Sequence, residues 1–267
     1  MGTEASKKAK RESKVNDTKD NLKNIKSNYI LKLIYSNIPT NKSLKIIKYN
    51  KKIQNRLNIS AKDYEECCKT YSPIEIIIIP VNKKYGKFIN NSNENENFFH
   101  IFFNDNKQEI KRNYIEENDK VSKIRIKIDY QIMSFEKLFY KCDCIKSINF
   151  TKFYRTNINN MKYMFYGCSS LTELNLSNFF TNSITNMSYM FFRCSSLKEL
   201  NLSNFNLTKI KDLSCTFYKC SSLDELNFPN LDNNDEIDMN FMFYGCNENL
   251  KKIIKKNIKN IKDEALY

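Results

Sequence analysis

The sequence predicts an α+β repeat solenoid with a helical N-terminal module and a β cap, and three observations carry that prediction. Cys142, Cys168, Cys194, Cys220 and Cys246 recur at a constant step of 26 residues, and Phe139, Phe165, Phe191, Phe217 and Phe243 keep the same step. A fixed period of this length marks stacked units, each too small to bury its apolar face alone. Within a unit, Met161, Met164, Phe165 and Cys168 fall at i, i+3, i+4 and i+7, the spacing of one face of a short helix. Leu171-x-x-Leu174-x-Leu176 follows, and its alternation reads as a strand with Leu174 and Leu176 inward.

Each remaining position of the unit has a physical reading. Ser134, Asn160, Asn186, Asp212 and Asp238 precede the five helical segments and are good N-caps, able to accept from the free amides of a first turn. Phe153, Phe179, Phe205 and Leu231 are expected to stack as a spine, and Ile158, Ile184, Ile210 and Ile237 to close the turn back to the next unit.

The spacing L-x-x-L-x-L-x-x-F, preceded by M-x-x-M-F-x-x-C-S-S, resembles the BspA-like leucine-rich repeats of bacterial and protist surface proteins. The resemblance covers residues 134–254. It departs from the family pattern at the ninth consensus position, which is Phe instead of Asn, and at both ends. It implies a short leucine-rich-repeat array, strand plus short helix per repeat, used for binding proteins or surfaces and carrying no chemistry of its own.

The net charge of +14 is unevenly placed. Residues 1–70 hold 17 Lys or Arg against 7 Asp or Glu, whereas residues 131–246 hold 11 of each. A nucleic-acid-binding array would carry its basicity on the repeats, so nucleic acid is disfavoured as a partner. Nine cysteines in total is an odd number, five of them at a core position, and no C-x-x-C pair occurs. With His100 the single histidine, metal-ligand spacing is lacking. Reduced, buried thiols and a cytoplasmic environment are expected.

Taken in order, the chain divides into a disordered basic tail (1–27), a helical module (28–70), a β-rich N-terminal cap (71–133), the repeats (134–254) and a C-terminal cap or tail (255–267). The start has no apolar core for a secretory signal but fits M-G-x-x-x-S, the N-myristoylation pattern, with Gly2 as acceptor. Lys7, Lys8, Lys10, Arg11 and Lys14 follow. A single acyl chain binds membranes marginally, and a basic patch adds attraction to anionic lipid. A plain solvated tail is the alternative. Tyr29, Ile30, Leu33 and Ile34 are read as one face of a first helix. Residues 30–57 resemble an F-box helical hairpin, without its leading Leu-Pro. Residues 74–79, 86–90, 98–103 and 123–130 read as strands.

No Gly-rich phosphate loop, G-x-S-x-G elbow or H-E-x-x-H helix occurs. His100, in FFHIFF, reads as a structural imidazole. The expected protein is therefore not an enzyme and uses no metal or cofactor. The two-residue strand period points the residues between the inward leucines out onto the sheet. They form three ladders: Lys146, Thr172, Lys198 and Asp224; Ser147, Glu173, Glu199 and Glu225; Asn149, Asn175, Asn201 and Asn227. These are the candidate binding residues for a protein or peptide. The expected function is a non-enzymatic interaction scaffold, tethered at the cytoplasmic face of a membrane through Gly2. An F-box-type substrate adaptor of a ubiquitin ligase and a cell-surface adhesin are the two other readings that stay open.

Overall fold

The computed structural model describes residues 25–37, 50–58, 72–91, 93–129, 132–155, 157–179, 181–231 and 236–267. The chain forms two compact units, Met1–Tyr71 and Ser72–Tyr267. Gly2, the basic residues 7–14 and the middle of the F-box-like hairpin lie outside the described residues.

In the first unit, helices α1 (Asn28–Asn37) and α2 (Lys51–Leu57) meet through buried Leu31, Tyr35, Ile53 and Leu57. The inward face of α1 is thus Leu31 and Tyr35, one turn apart. The face expected from the sequence is corrected: Tyr29, Ile30 and Leu33 are exposed. Asn50 caps α2 by accepting from the Ile53 amide, and Asn58 ends it in the left-handed conformation.

The second unit is mostly strand and turn. Strands β1 (Ile74–Pro80), β3 (Phe99–Phe103), β5 (Ile124–Ile128), β6 (Ile145–Lys152) and β7 (Glu173–Asn175) form one sheet in the order β3-β5-β1-β6-β7. β2 (Gly86–Lys87) pairs with β4 (Tyr114–Ile115), and β8 (Glu199–Asn201) with β9 (Glu225–Asn227). β1 sits at the centre, antiparallel to both β5 and β6, while β6 to β7 and β8 to β9 are parallel. Ile74, Ile76 and Ile78 are buried against Ile124, Ile126 and Ile128, so the alternating residues of β1 and β5 supply the core at this end.

The expected α+β repeat solenoid, a short leucine-rich-repeat array with a helix in every repeat and a helical N-terminal module, is corrected here: among the described residues the chain is mostly sheet, in several sheets, with few helices. The described residues contain three α-helices, α1, α2 and α3 (Glu248–Asn257), and none lies within residues 134–246. The segment read as a helix is a run of tight turns. The Met164, Tyr166 and Cys168 amides each donate to the carbonyl three residues back, at Met161, Tyr163 and Phe165. The amides between them donate instead across to the following copy, Phe165 to Met190 and Gly167 to Phe192. Tyr163 and Gly167 are left-handed, at φ 58° and 71°. So are Lys137 and Lys141, Tyr189 and Arg193, Cys215 and Lys219, and Phe241 and Gly245. A left-handed residue every fourth position breaks a right-handed helix, yet it suits consecutive turns whose third residue needs positive φ. Burying i, i+3, i+4 and i+7 served both conformations, and pairing between copies decided it.

Most buried positions expected from the repeat are nonetheless filled as read; Leu174, expected inward beside Leu176, is only half-buried. Phe139, Phe165, Phe191, Phe217 and Phe243 stack in a row with centroids 5.1–5.5 Å apart. The N-cap residues act in the turns: Asn160, Asn186, Asp212 and Asp238 each accept from the amide two residues on at 2.9–3.0 Å. They also form parallel bridges from copy to copy. Four of the five ladder thiols, those of Cys168, Cys194, Cys220 and Cys246, donate to the phenylalanine carbonyl of the preceding copy, as Cys194 Sγ does to Phe165 at 3.2 Å and Cys220 Sγ to Phe191 at 3.0 Å. That bond explains cysteine here better than size alone does, because alanine would leave the carbonyl with one partner fewer. Beyond the last copy, the Phe241 and Phe243 amides donate to Glu264 and Ala265, and Leu250 and Ile254 of α3 are buried against the same end.

Gly167→Ala tests the turn conformation. Its new Cβ would meet Lys141 Cγ at 3.4 Å, which is ordinary contact. The expected loss of about 1 kcal/mol is then the left-handed penalty of a residue with a Cβ. Urea unfolding measures it, and a neutral result would mean that the glycine is not left-handed.

Candidate functional site

The residues between the inward leucines meet across two sheets. In the parallel register Ser147 lies beside Glu173 and Asn149 beside Asn175, and likewise Glu199 beside Glu225 and Asn201 beside Asn227. Across the antiparallel pair, Ile79 lies beside Ser147 and Ile77 beside Asn149. Paired residues point to the same side of a sheet, so the six from β1, β6 and β7 share a face of the larger sheet and the four from β8 and β9 a face of the smaller. They line one open groove of about 610 Å³, with Leu174 and Leu200 in its floor.

Eight of the twelve residues expected at a binding face line this groove: Ser147, Asn149, Glu173, Asn175, Glu199, Asn201, Glu225 and Asn227. Lys146, Thr172, Lys198 and Asp224 do not. Thr172, Lys198 and Asp224 sit just before their strands and Lys146 is the second residue of β6, and three of the four are engaged locally. Thr172 Oγ1 donates to the Lys146 carbonyl at 3.2 Å, Lys146 Nζ lies 3.7 Å from Glu173, and Asp224 accepts from Asn247 Nδ2 at 2.7 Å. The asparagines divide from the glutamates in the same way. Asn175 and Asn201 accept from the Ser177 and Ser203 amides at 3.0 Å, holding the turn after each strand. They serve the fold.

That leaves the glutamates. Glu199 and Glu225 are exposed and directly opposite each other, and among the described residues neither has a cation within the 4 Å of an ion pair. Like charges facing across a strand pair destabilise it. The groove therefore holds an uncompensated acidic pair. Toward β1 its character changes, because Ile77 and Ile79 are only half-buried there. The sequence carried a signal for this: in IEIIIIP the residues alternate with buried ones yet are themselves apolar, as in strands covered on both faces.

Chemically the groove can pair with cations, exchange hydrogen bonds and bury aliphatic surface. Its lining residues include no His or Cys. The described cysteines are all free, and burial pushes the ladder thiols up, Cys246 to about 12. Cys144 is pushed up to about 11 by the same cause. Such thiols stay protonated and are poor nucleophiles. Among the described residues no three His, Cys, Asp or Glu are placed to hold a metal ion, and no helix is long and apolar enough to cross a membrane.

The sequence reads His100 as a structural imidazole. It is half-exposed between two carboxylates, with Nδ1 at 3.0 Å from Glu109 and Nε2 at 3.3 Å from Asp129. Lys111 at 2.7 Å and the imidazole together hold the Glu109 carboxyl below the usual range. The imidazole thus bridges two carboxylates at the surface of the β-rich cap.

Fold and groove define a β-rich repeat protein with an open groove, acidic toward β8 and β9 and apolar toward β1. Residues 133–257 are similar to a family described as "Mycoplasma protein of unknown function, DUF285". No curated protein and no solved structure matches the chain.

Proposed function

We propose that the protein is a non-enzymatic interaction scaffold whose groove takes an extended peptide rich in Lys or Arg at one end and apolar at the other. The uncompensated Glu199–Glu225 pair carries this reading, since basic groups from a partner relieve a repulsion that the chain itself leaves in place. Ile77 and Ile79 supply the apolar share of the contact. Neighbouring strands lie about 4.8 Å apart, so the groove suits a peptide or a small domain.

Selection of peptides from a random display library on the full chain tests this. Enriched peptides should carry excess Lys or Arg, and Glu199→Lys with Glu225→Lys should weaken their binding at least tenfold. Peptides without basic excess, or equal binding to the double variant, would place the partner elsewhere. The membrane tether is a separate part of the reading and rests on the sequence of residues 2–14. Gly2→Ala should abolish labelling by a myristate analogue and shift the protein from the membrane pellet to the supernatant.

A further inference from the structure

A second surface runs along the turns of the repeats. Tyr140, Tyr166, Phe192, Tyr218 and Tyr244 stack ring on ring, with centroids 4.6–4.9 Å apart. The next residue in each copy forms a parallel row: Lys141, Gly167, Arg193, Lys219 and Gly245. Lys141 Nζ, Arg193 Cζ and Lys219 Nζ lie 5.3–5.6 Å from the centres of the Tyr140, Phe192 and Tyr218 rings. All three cations are exposed, and among the described residues none has a carboxylate within ion-pair distance. The neutral total of the repeats hides a separation, with acids in the groove and cations along this edge.

The cations share their backbone conformation with the glycines of the row. Lys141, Arg193 and Lys219 are left-handed, at φ 56–58°. Glycine takes this conformation without penalty and occupies the sister positions 167 and 245. A Cβ at 245 would stand 3.0 Å from Lys219 Cγ. Gly245 leaves room for the stem of Lys219.

We propose that this edge binds a linear sulfated polysaccharide, an inference that rests on the cell-surface reading and not on the Gly2 tether. The cations lie in a single line, at about 10 Å and then about 5 Å from one to the next by the spacing of paired strands, which fits anions strung along one chain. The ring faces are occupied by one another and present their electropositive edges and, on the tyrosines, hydroxyl groups. That arrangement suits sulfate oxygens. It does not suit nucleic-acid bases, which bind single-strand readers by stacking on free aromatic faces.

The test uses the full chain with a heparin fragment as probe. Lys141→Gly, Arg193→Gly and Lys219→Gly are combined, and the protein should stay folded because each position then matches its glycine sisters. A second variant, Lys7→Ala with Lys8→Ala and Lys10→Ala, removes the same charge elsewhere. The edge variant should bind heparin at least tenfold more weakly and lose about one unit of salt slope per residue, while the tail variant changes much less. Equal losses in the two would reduce the effect to net charge and overturn the proposal. So would unchanged binding in the edge variant at an unchanged melting temperature. Tighter, edge-dependent binding of a single-stranded oligonucleotide or of anionic vesicles would overturn the assignment to a polysaccharide.

Discussion

Phe191→Ala is expected to cost about 3 to 5 kcal/mol of unfolding free energy, the range for removing a buried aromatic ring. The ring is fully buried and stacks against Phe165 and Phe217 at 5.5 Å on either side. The lost burial accounts for part of the cost. The remainder is the cavity, and here the neighbours cannot close in on it. The Phe165 and Phe191 amides are fixed to Met190 and Thr216 of the following copies, and Cys220 Sγ holds the Phe191 carbonyl. Rings tied by the backbone at a set separation leave a gap where a looser core would collapse. Phe192→Ala, one residue on, removes a half-exposed ring from the outer row and should cost much less. Urea unfolding of the two variants should show a lower midpoint for Phe191→Ala at an unchanged slope. A loss below about 1 kcal/mol, or equal losses in both, would mean that Phe191 does not form the core row.

That contrast also marks what the sequence could and could not tell. A period of 26 and its buried positions were legible, because burial is a property of side-chain pattern and the pattern is written residue by residue. Conformation was not. Met161, Met164, Phe165 and Cys168 are inward in the turns as they would be in a helix, and the difference lies in where alternate amides donate. Those acceptors belong to another copy, so no local propensity reports them. Asn160 and its equivalents likewise read as caps and do accept from nearby amides, but at the start of a turn. At the groove, the strand alternation found Glu199 and Glu225 without difficulty. Ile77 and Ile79 were missed because they join the face through antiparallel pairing with Asn149 and Ser147, about 70 residues away in sequence. Leu31 and Tyr35 were lost for a simpler reason. With apolar residues on most sides of α1, periodicity did not say which would meet Ile53 and Leu57.

Alkali should unfold the repeats at a pH where most small domains are unharmed. Cys142, Cys168, Cys194, Cys220 and Cys246 are buried, and burial raises the pKa of every one of their thiols. In the unfolded chain the same thiols ionise near about 8.5. Below that pH both states hold the proton and the stabilisation is fully present. As the pH rises through the gap toward the folded values, only the unfolded chain releases protons, so stability falls. One unit above the unfolded value each thiol costs about 1.4 kcal/mol, and the five together about 7 kcal/mol. That is comparable to the whole stability of an ordinary domain. Cooperative loss of far-ultraviolet circular dichroism is therefore expected between about pH 9.5 and 10.5. Alkylation mapped at the five ladder cysteines should follow the same curve. Replacing Cys168 and Cys194 by Ala removes two of the titrating groups and should flatten the fall of stability by about 2.7 kcal/mol per pH unit, even though the variant starts less stable. Rapid alkylation of the ladder at pH 8 in a chain with unchanged dichroism would contradict the burial from which the prediction comes.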